Sequence, residues 1–263
     1  VMNWMAHVIQ KPHIKMGVVL CLKSTFEGAG KNVVITKLEK IIGKEHYLQV
    51  KPMDEIIGPF NGIGEAKTLV NLDECVWGKD KKKEGIIKNL VTEENKYINK
   101  KNKEAYVIPD YCNYILSTNN ECFAPTTEGG RRFYALEVNN KYAGISNKEK
   151  QVYFKKIIDA PSEAFAKILY NRPLKKIKND EEQTEEWVFN PREFIKTKAL
   201  QQAIEQNWCN VRKWWYNILN DGGFQSNILL KNFSEYRTKF KNIHTDEPYV
   251  LIKKTYQKNN GSY

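Results

Sequence analysis

One segment restricts the possible folds of this chain more than any other. A short apolar run, a glycine-interrupted loop and an amphipathic helix follow one another without a gap. Val18, Val19, Leu20, Cys21 and Leu22 are consecutive apolar positions, as expected of a strand buried on both faces and therefore of a parallel sheet. Glycines interrupt the chain at FEGAGKN, and VVITKLEKIIG resumes with helical spacing before stopping at Gly43. A strand that feeds a helix through so short a loop must pack that helix back onto its own sheet, which places the chain in the α/β class.

The loop has a chemistry of its own. Glycines let backbone N–H groups curl around oxygens, and a lysine at the start of the following helix adds a cation where the helix dipole already favours an anion. Gly28, Gly30 and Lys31 supply these parts. Thr25 stands where the G-x-x-x-x-G-K spacing has its first glycine, and Asn32 stands where a serine or threonine would offer magnesium a hydroxyl. An amide oxygen can ligate magnesium in its place.

Two further apolar runs end in polar pairs. TLVNLDEC delivers Asp73 and Glu74, the first suited to hold magnesium and the second to polarise an attacking water. YCNYILSTNN delivers Asn119 or Asn120 at a strand end, where an amide can orient water against a γ-phosphate. Between them the segment KKKEGIIKNLVTEENKYINKKNKEAYVI reads as a lysine-rich helix and hairpin, and beyond them EGGRRFYALEV enters another strand.

In this order the motifs resemble a superfamily 3 helicase of the AAA+ class, particularly the poxvirus- and phage-type primase-helicases. The resemblance covers roughly residues 1–140, and the helical tail more loosely. It implies that GAGKN is the Walker A loop, with Gly28, Ala29, Gly30, Lys31 and Asn32 binding ATP. LVNLDE becomes Walker B, with Asp73 and Asn32 on Mg2+ and Glu74 as base, and ILSTNN becomes sensor 1, with Asn119 at the γ-phosphate. GGRRF would carry an arginine finger, Arg131 or Arg132, reaching across a subunit boundary. The lysines around Tyr97, namely Lys96, Lys100, Lys101 and Lys103, correspond by position to a hairpin that grips DNA phosphates without reading bases. Lys88 and Thr92 lie on the helix before it. The resemblance further implies a homo-oligomer, a hexameric ring on single-stranded or forked DNA, working with a primase domain or other replication proteins. Two other functions are compatible with the residues. An ATP-controlled DNA-binding or loading switch with little turnover suits Asn32, and a small-molecule P-loop kinase would need a substrate lid in place of the lysine hairpin.

Composition bounds the rest. The chain has 263 residues, a formal net charge of +11 and a pI near 9.2, which favours polyanionic partners. No stretch reaches the roughly 18 apolar residues of a membrane span, and the N-terminal decapeptide reads as an amphipathic helix, so a membrane partner and secretion are not expected. The expected location is intracellular, the host cytoplasm or nucleus if the source is viral. Cys21, Cys75, Cys112, Cys122 and Cys209 form no C-x-x-C pair, so they are expected to be reduced and mostly buried. The expected organisation is a P-loop ATPase core over 1–146, a helical segment and charged linker over 147–186, and a winged-helix-like domain over 187–263. In that last part ALQQAIEQNWCNVRKWWYNIL reads as one helix, with Trp208, Trp214, Trp215 and Tyr216 as core. Lys213, Arg237, Lys239, Lys241, Lys253 and Lys254 could form a basic surface around it.

Overall fold

The computed structural model describes residues 1–75, 81–121, 123–127, 130–143, 148–179, 184–189, 197–210, 212, 213 and 216. The chain divides into two compact units, Val1–Asn207 and Trp208–Tyr263.

The first unit begins with α1 (Met2–Gln10), β1 (Val19–Lys23), α2 (Lys31–Ile42), β2 (Tyr47–Val50), a short α3 (Asp54–Ile57) and β3 (Leu69–Asp73). It continues through α4 (Lys81–Thr92), β4 (Asn95–Ile98), β5 (Tyr106–Pro109), β6 (Asn113–Thr118) and β7 (Phe133–Glu137). Then follow α5 (Lys148–Asp159), α6 (Ser162–Tyr170), β8 (Lys175–Asn179), β9 (Thr184–Val188) and α7 (Lys198–Asn207). Strands β2, β3, β6, β1 and β7, in that spatial order, make a five-stranded sheet whose neighbours are all parallel. The expected parallel α/β core is therefore present.

Burial on both sides explains the unbroken apolar runs. Leu20, Leu22, Leu69, Ile115 and Tyr134 share one core with Trp4 and Val8 of α1, Ile35 and Leu38 of α2 and Leu169 of α6. On β7, α7 packs with Ala199, Leu200, Ala203 and Ile204 buried, and the Thr197 hydroxyl donates to the Ala135 carbonyl. Trp4 is fully buried and satisfies its indole by donating from Nε1 to the Val18 carbonyl at 3.1 Å, which ties α1 to the entrance of β1.

Helix α2 starts from Gly30 in the left-handed region at φ 93°, a conformation glycine adopts without the steric cost of a Cβ, and ends at Gly43. The buried Lys37 on α2 donates to the carbonyls of Ile158, at 2.8 Å, and Ala160, so it caps the C-terminus of α5. That cap offers cationic hydrogen bonds to orphan helix carbonyls.

The structure departs from the sequence reading in three places. The stretch expected to be a solvated linker contains a paired hairpin, with Lys175 opposite Val188 and Asn179 opposite Thr184. The long C-terminal helix stops at Asn207, whose side-chain amide donates to the carbonyls of Ala124 and Ala203 at 2.7 and 2.9 Å. The first compact unit consequently runs past residue 186 to Asn207, beyond the expected limits of the core. In the second unit, Trp208 meets Tyr216 edge-on with centroids 5.0 Å apart, and Arg212 lies over the Trp208 ring. Trp214, Trp215, Arg237, Lys239, Lys241, Lys253, Lys254 and the expected winged-helix elements lie outside the described residues.

Cys21, Cys75 and Cys112 are free and buried, and Cys209 is exposed. Burial pushes the Cys75 and Cys112 thiols up to about 12, so these two are inert at neutral pH. Cys122 lies outside the described residues. No helix among the described residues is long and apolar enough to cross a membrane.

Candidate functional site

The parallel register carries the glycine loop, Asp73, Glu74 and Asn119 to the same edge of the sheet. β1, β3 and β6 lie side by side and all end there, with Asp73 opposite Ser117 and Lys23 opposite Thr118. In open α/β sheets this carboxyl edge is where ligands bind.

Lys31 is the first residue of α2, and its side chain is only 10% exposed. Its Nζ donates to the Ser24 hydroxyl at 2.7 Å, to the Thr118 carbonyl at 3.0 Å and to Asn119 Oδ1, and lies 4.0 Å from Glu74 Oε1. Burial lowers the Lys31 ammonium from its ordinary range, opposed by the carboxylates of Glu74, Asp73 and Glu27. A cation held short of full solvation beside two carboxylates is poised to accept a polyanion that can replace what desolvation removes.

The two acids are held differently. Asp73 receives a hydrogen bond on each oxygen, from the Ser117 hydroxyl at 2.9 Å and from Gln49 Nε2 at 2.9 Å. Glu74 sits at φ 53°, a left-handed backbone that costs a non-glycine residue about 1 kcal/mol. Its N–H donates to the Ser117 carbonyl at 2.8 Å, and its Oε2 accepts from the Thr118 hydroxyl at 3.1 Å and the Asn119 N–H at 3.2 Å. This turn aims the second carboxylate at Lys31 instead of letting it continue along the strand direction. Asn120 is half-buried, and its backbone N–H donates to the Thr118 hydroxyl, so Asn119 is the asparagine whose amide meets Lys31.

Gly28 and Gly30 have positive φ, 70° and 93°, and each is also hemmed in by α5. A Cβ at Gly28 would collide with the Lys150 ammonium, and one at Gly30 with the Phe154 ring. Ala29 between them is buried, whereas Asn32 is exposed on the first turn of α2. No cluster of three or more metal-ligating side chains occurs among the described residues. Both Asp73 oxygens already accept hydrogen bonds, and the exposed Asn32 carries a side-chain amide oxygen on the first turn of α2.

Arg131 and Arg132 lie elsewhere. Val19 donates to the Arg132 carbonyl at 2.8 Å, so both arginines sit where β1 and β7 begin, at the opposite end of the sheet from Lys31. Five strand residues at about 3.3 Å each put roughly 16 Å between the two ends, beyond the reach of either guanidinium to its own glycine loop. Arg131 is exposed, while Arg132 is half-buried with its Nε lacking a hydrogen-bond partner.

The expected hairpin is present as β4 and β5, with Lys100, Lys101 and Lys103 between the strands. Its lysines are not equivalent. Lys96 is a correction to the sequence reading. It is 5% exposed on the packed face, donating to the Gly64 carbonyl at 3.2 Å, and cannot present its charge to an external phosphate in this conformation. Lys100 forms an ion pair with Glu65 and lies over the Tyr106 ring, while Lys101 and Lys103 are exposed. Lys88 pairs with Glu84 on α4, and Thr92 donates to the Lys88 carbonyl, so both serve the helix.

Sequence reasoning missed Ser24, Gln49, Ser117 and Thr118. Ser117 and Thr118 stand directly before the asparagines, and Ser24 directly after an apolar strand, so a polar residue at a strand end was the available signal. Gln49 had none, because β2 is too short to announce itself.

Comparison with known proteins yields four findings. A family of unknown function, DUF5906, matches residues 22–132, which hold the glycine loop, both acids, the asparagines and the hairpin. The DNA primase-polymerase of Nitratiruptor phage NrS-1 is 30% identical over 142 residues, covering 52% of this chain and 19% of that protein. An apo structure of the NrS-1 C-terminal region superposes with a TM-score of 0.61 at 25% identity, over 96% of this chain and 56% of that one. A second form of the same region gives 0.60 at 23% identity, again over 96% and 56%. The chain therefore spans about a fifth of the curated relative and about half of the solved region.

Proposed function

We propose that this chain is the ATP-hydrolysing motor of a replicative DNA helicase, working as a ring in which neighbouring copies complete each other's sites. The observation that carries the reading is the convergence of Lys31, Asn119 and Glu74 at the carboxyl edge of the sheet, with Lys31 bonded to Asn119 and 4.0 Å from Glu74. Likeness to a phage primase-polymerase supports a place in DNA replication.

In this reading Gly28, Ala29, Gly30 and Lys31 bind the triphosphate through loop N–H groups and the ammonium. Asp73 and Asn32 would hold magnesium, which when bound supplies charge neutralisation on the phosphate oxygens. Gln49 and Ser117 fix the Asp73 carboxylate. Glu74 accepts the proton of the attacking water from a carboxylate already oriented by Thr118 and the Asn119 N–H. Asn119 gives up its contact with Lys31 to orient that water. The separation of Arg131 and Arg132 from their own loop suits a guanidinium that serves the adjacent subunit. Lys101 and Lys103 at the hairpin tip give a salt-sensitive, sequence-independent grip on single-stranded DNA.

Asn32 favours a second reading, an assembly or loading switch that binds ATP with little turnover, because no hydroxyl follows Lys31. ATPase assays with and without single-stranded DNA separate the two. The motor requires turnover that DNA stimulates and that Lys31→Ala and Glu74→Gln each abolish, together with strand displacement on a forked duplex. Tight ATP binding without turnover in the unaltered chain would establish the switch.

A further inference from the structure

Helix α5 lies against the glycine loop without having been part of any motif. Its Lys150 ammonium occupies the space above Gly28, and its Phe154 ring occupies the space above Gly30. The C-terminus of α5 is fastened to α2 by the buried Lys37, which binds the carbonyls of Ile158 and Ala160. Because α2 itself begins at Lys31, the helix is fixed to the loop at two points along its length.

An aromatic group stands at the same place. Tyr142 stacks on Tyr153 with centroids 4.3 Å apart and planes 14° from parallel. Phe154 meets both edge-on, at 5.3 Å from Tyr153 and 6.1 Å from Tyr142. Tyr153 remains 42% exposed after these contacts. Lysine and aromatic side chains together beside a phosphate loop match the two halves of a nucleotide, the charged tail and the flat base.

We propose that α5 is the outer wall of the nucleotide site, with Lys150 a second cation for the triphosphate and Tyr153 the surface on which the base stacks. Phe154 and Tyr142 are positioning residues that hold Tyr153. Stacking on a tyrosine face is tolerant of base identity, so the site would take nucleoside triphosphates without strong discrimination among the bases. This inference rests on reading the glycine loop as a triphosphate site.

Calorimetric titration of the full chain with Mg-ATP and with Mg-tripolyphosphate tests both halves at once, since tripolyphosphate has the tail and no base. Lys150→Gln is expected to weaken both ligands by on the order of tenfold, the scale of one charge-assisted hydrogen bond, and Lys150→Arg to restore them. Tyr153→Ala is expected to weaken ATP about tenfold and leave tripolyphosphate unchanged. Equal weakening of both ligands by Tyr153→Ala overturns the stacking role. If Lys31→Ala loses ATP while Lys150→Gln and Tyr153→Ala both bind it as tightly as the unaltered chain, α5 is no part of the site and the glycine-loop reading stands. If the unaltered chain binds neither ligand, or Lys31→Ala binds both undiminished, the glycine-loop reading falls and the wall falls with it.

Discussion

The basic side chains inside the first compact unit and those on its hairpin tip do opposite things with the same charge. Lys31, Lys37 and Lys96 are largely withdrawn from solvent, and each is committed to carbonyls or to polar groups of the loop and strand ends. Lys101 and Lys103, within eight residues of Lys96, are exposed. Lysine content alone therefore says little about where a polyanion binds. What separates the two sets is whether the topology surrounds the ammonium with oxygens of the chain itself. Of these five lysines, Lys31 is the one that is partly desolvated and also lies 4.0 Å from a carboxylate, that of Glu74.

The inner set can be challenged most sharply through its acidic partner. Glu74→Gln should lower ATP turnover about 10² to 10⁴-fold, the usual worth of a general base, while Mg-ATP affinity stays within about threefold. Turnover that survives this change would remove Glu74 from the chemistry and leave Lys31 with a binding role alone.

A second buried base sharpens the comparison because it is kept neutral. His7 Nε2 donates to the Ile14 carbonyl at 3.1 Å, and its Nδ1 accepts from the Phe189 N–H at 3.0 Å, so only the uncharged ring satisfies both. Burial pushes His7 down to about 4 from 6.5. Between these values the unfolded chain takes up a proton that the folded chain refuses, so stability is retained above pH 6.5 and lost as the pH falls toward 4. The loss should approach about 3 kcal/mol, read from urea midpoints at pH 7 and pH 4.5 against a His7→Gln variant with a shallower dependence.

The outer set predicts a smaller and salt-dependent effect. Replacing both Lys101 and Lys103 with alanine should weaken single-stranded DNA binding about tenfold at moderate salt. The log-log salt slope should become shallower by about 1.4, with basal ATPase unchanged. Lys96→Met should leave both the affinity and the slope where they are and shift stability by no more than about 1.5 kcal/mol. A Lys96 variant that flattens the salt slope as much as the tip pair would show that the hairpin opens its packed face to DNA.

Much of the core could be read from the sequence because burial on both faces leaves uninterrupted apolar runs, as in Val18 to Leu22 and Tyr114 to Leu116. Gly30 and Gly43 marked both ends of α2 through the conformations they permit. The linker was misread because Lys175–Asn179 and Thr184–Val188 are rich in charge, and charge suggests solvation even where backbone pairing forms a hairpin. Lys96 was misplaced for a related reason. Strand alternation puts it on the face opposite Tyr97, and the carbonyl it binds, that of Gly64, is 32 residues away and invisible to any local pattern. The glycine loop was recognised through Gly28, Gly30 and Lys31, but not that α5 covers it, since that contact joins positions more than a hundred residues apart. Gln49 and Ser117 escaped notice because neither is unusual until the register sets it beside Asp73.

The central claim is that Lys31, Asp73, Glu74 and Asn119 converge on one triphosphate. Equilibrium binding of Mg-ATP to the intact chain and to Lys31→Ala tests it most directly. The account predicts binding that falls at least a hundredfold in the variant, about 3 kcal/mol for the loss of a charged hydrogen-bond donor in a partly desolvated site. Equal affinity in the two proteins would contradict it, whatever the chain then proved to do with DNA.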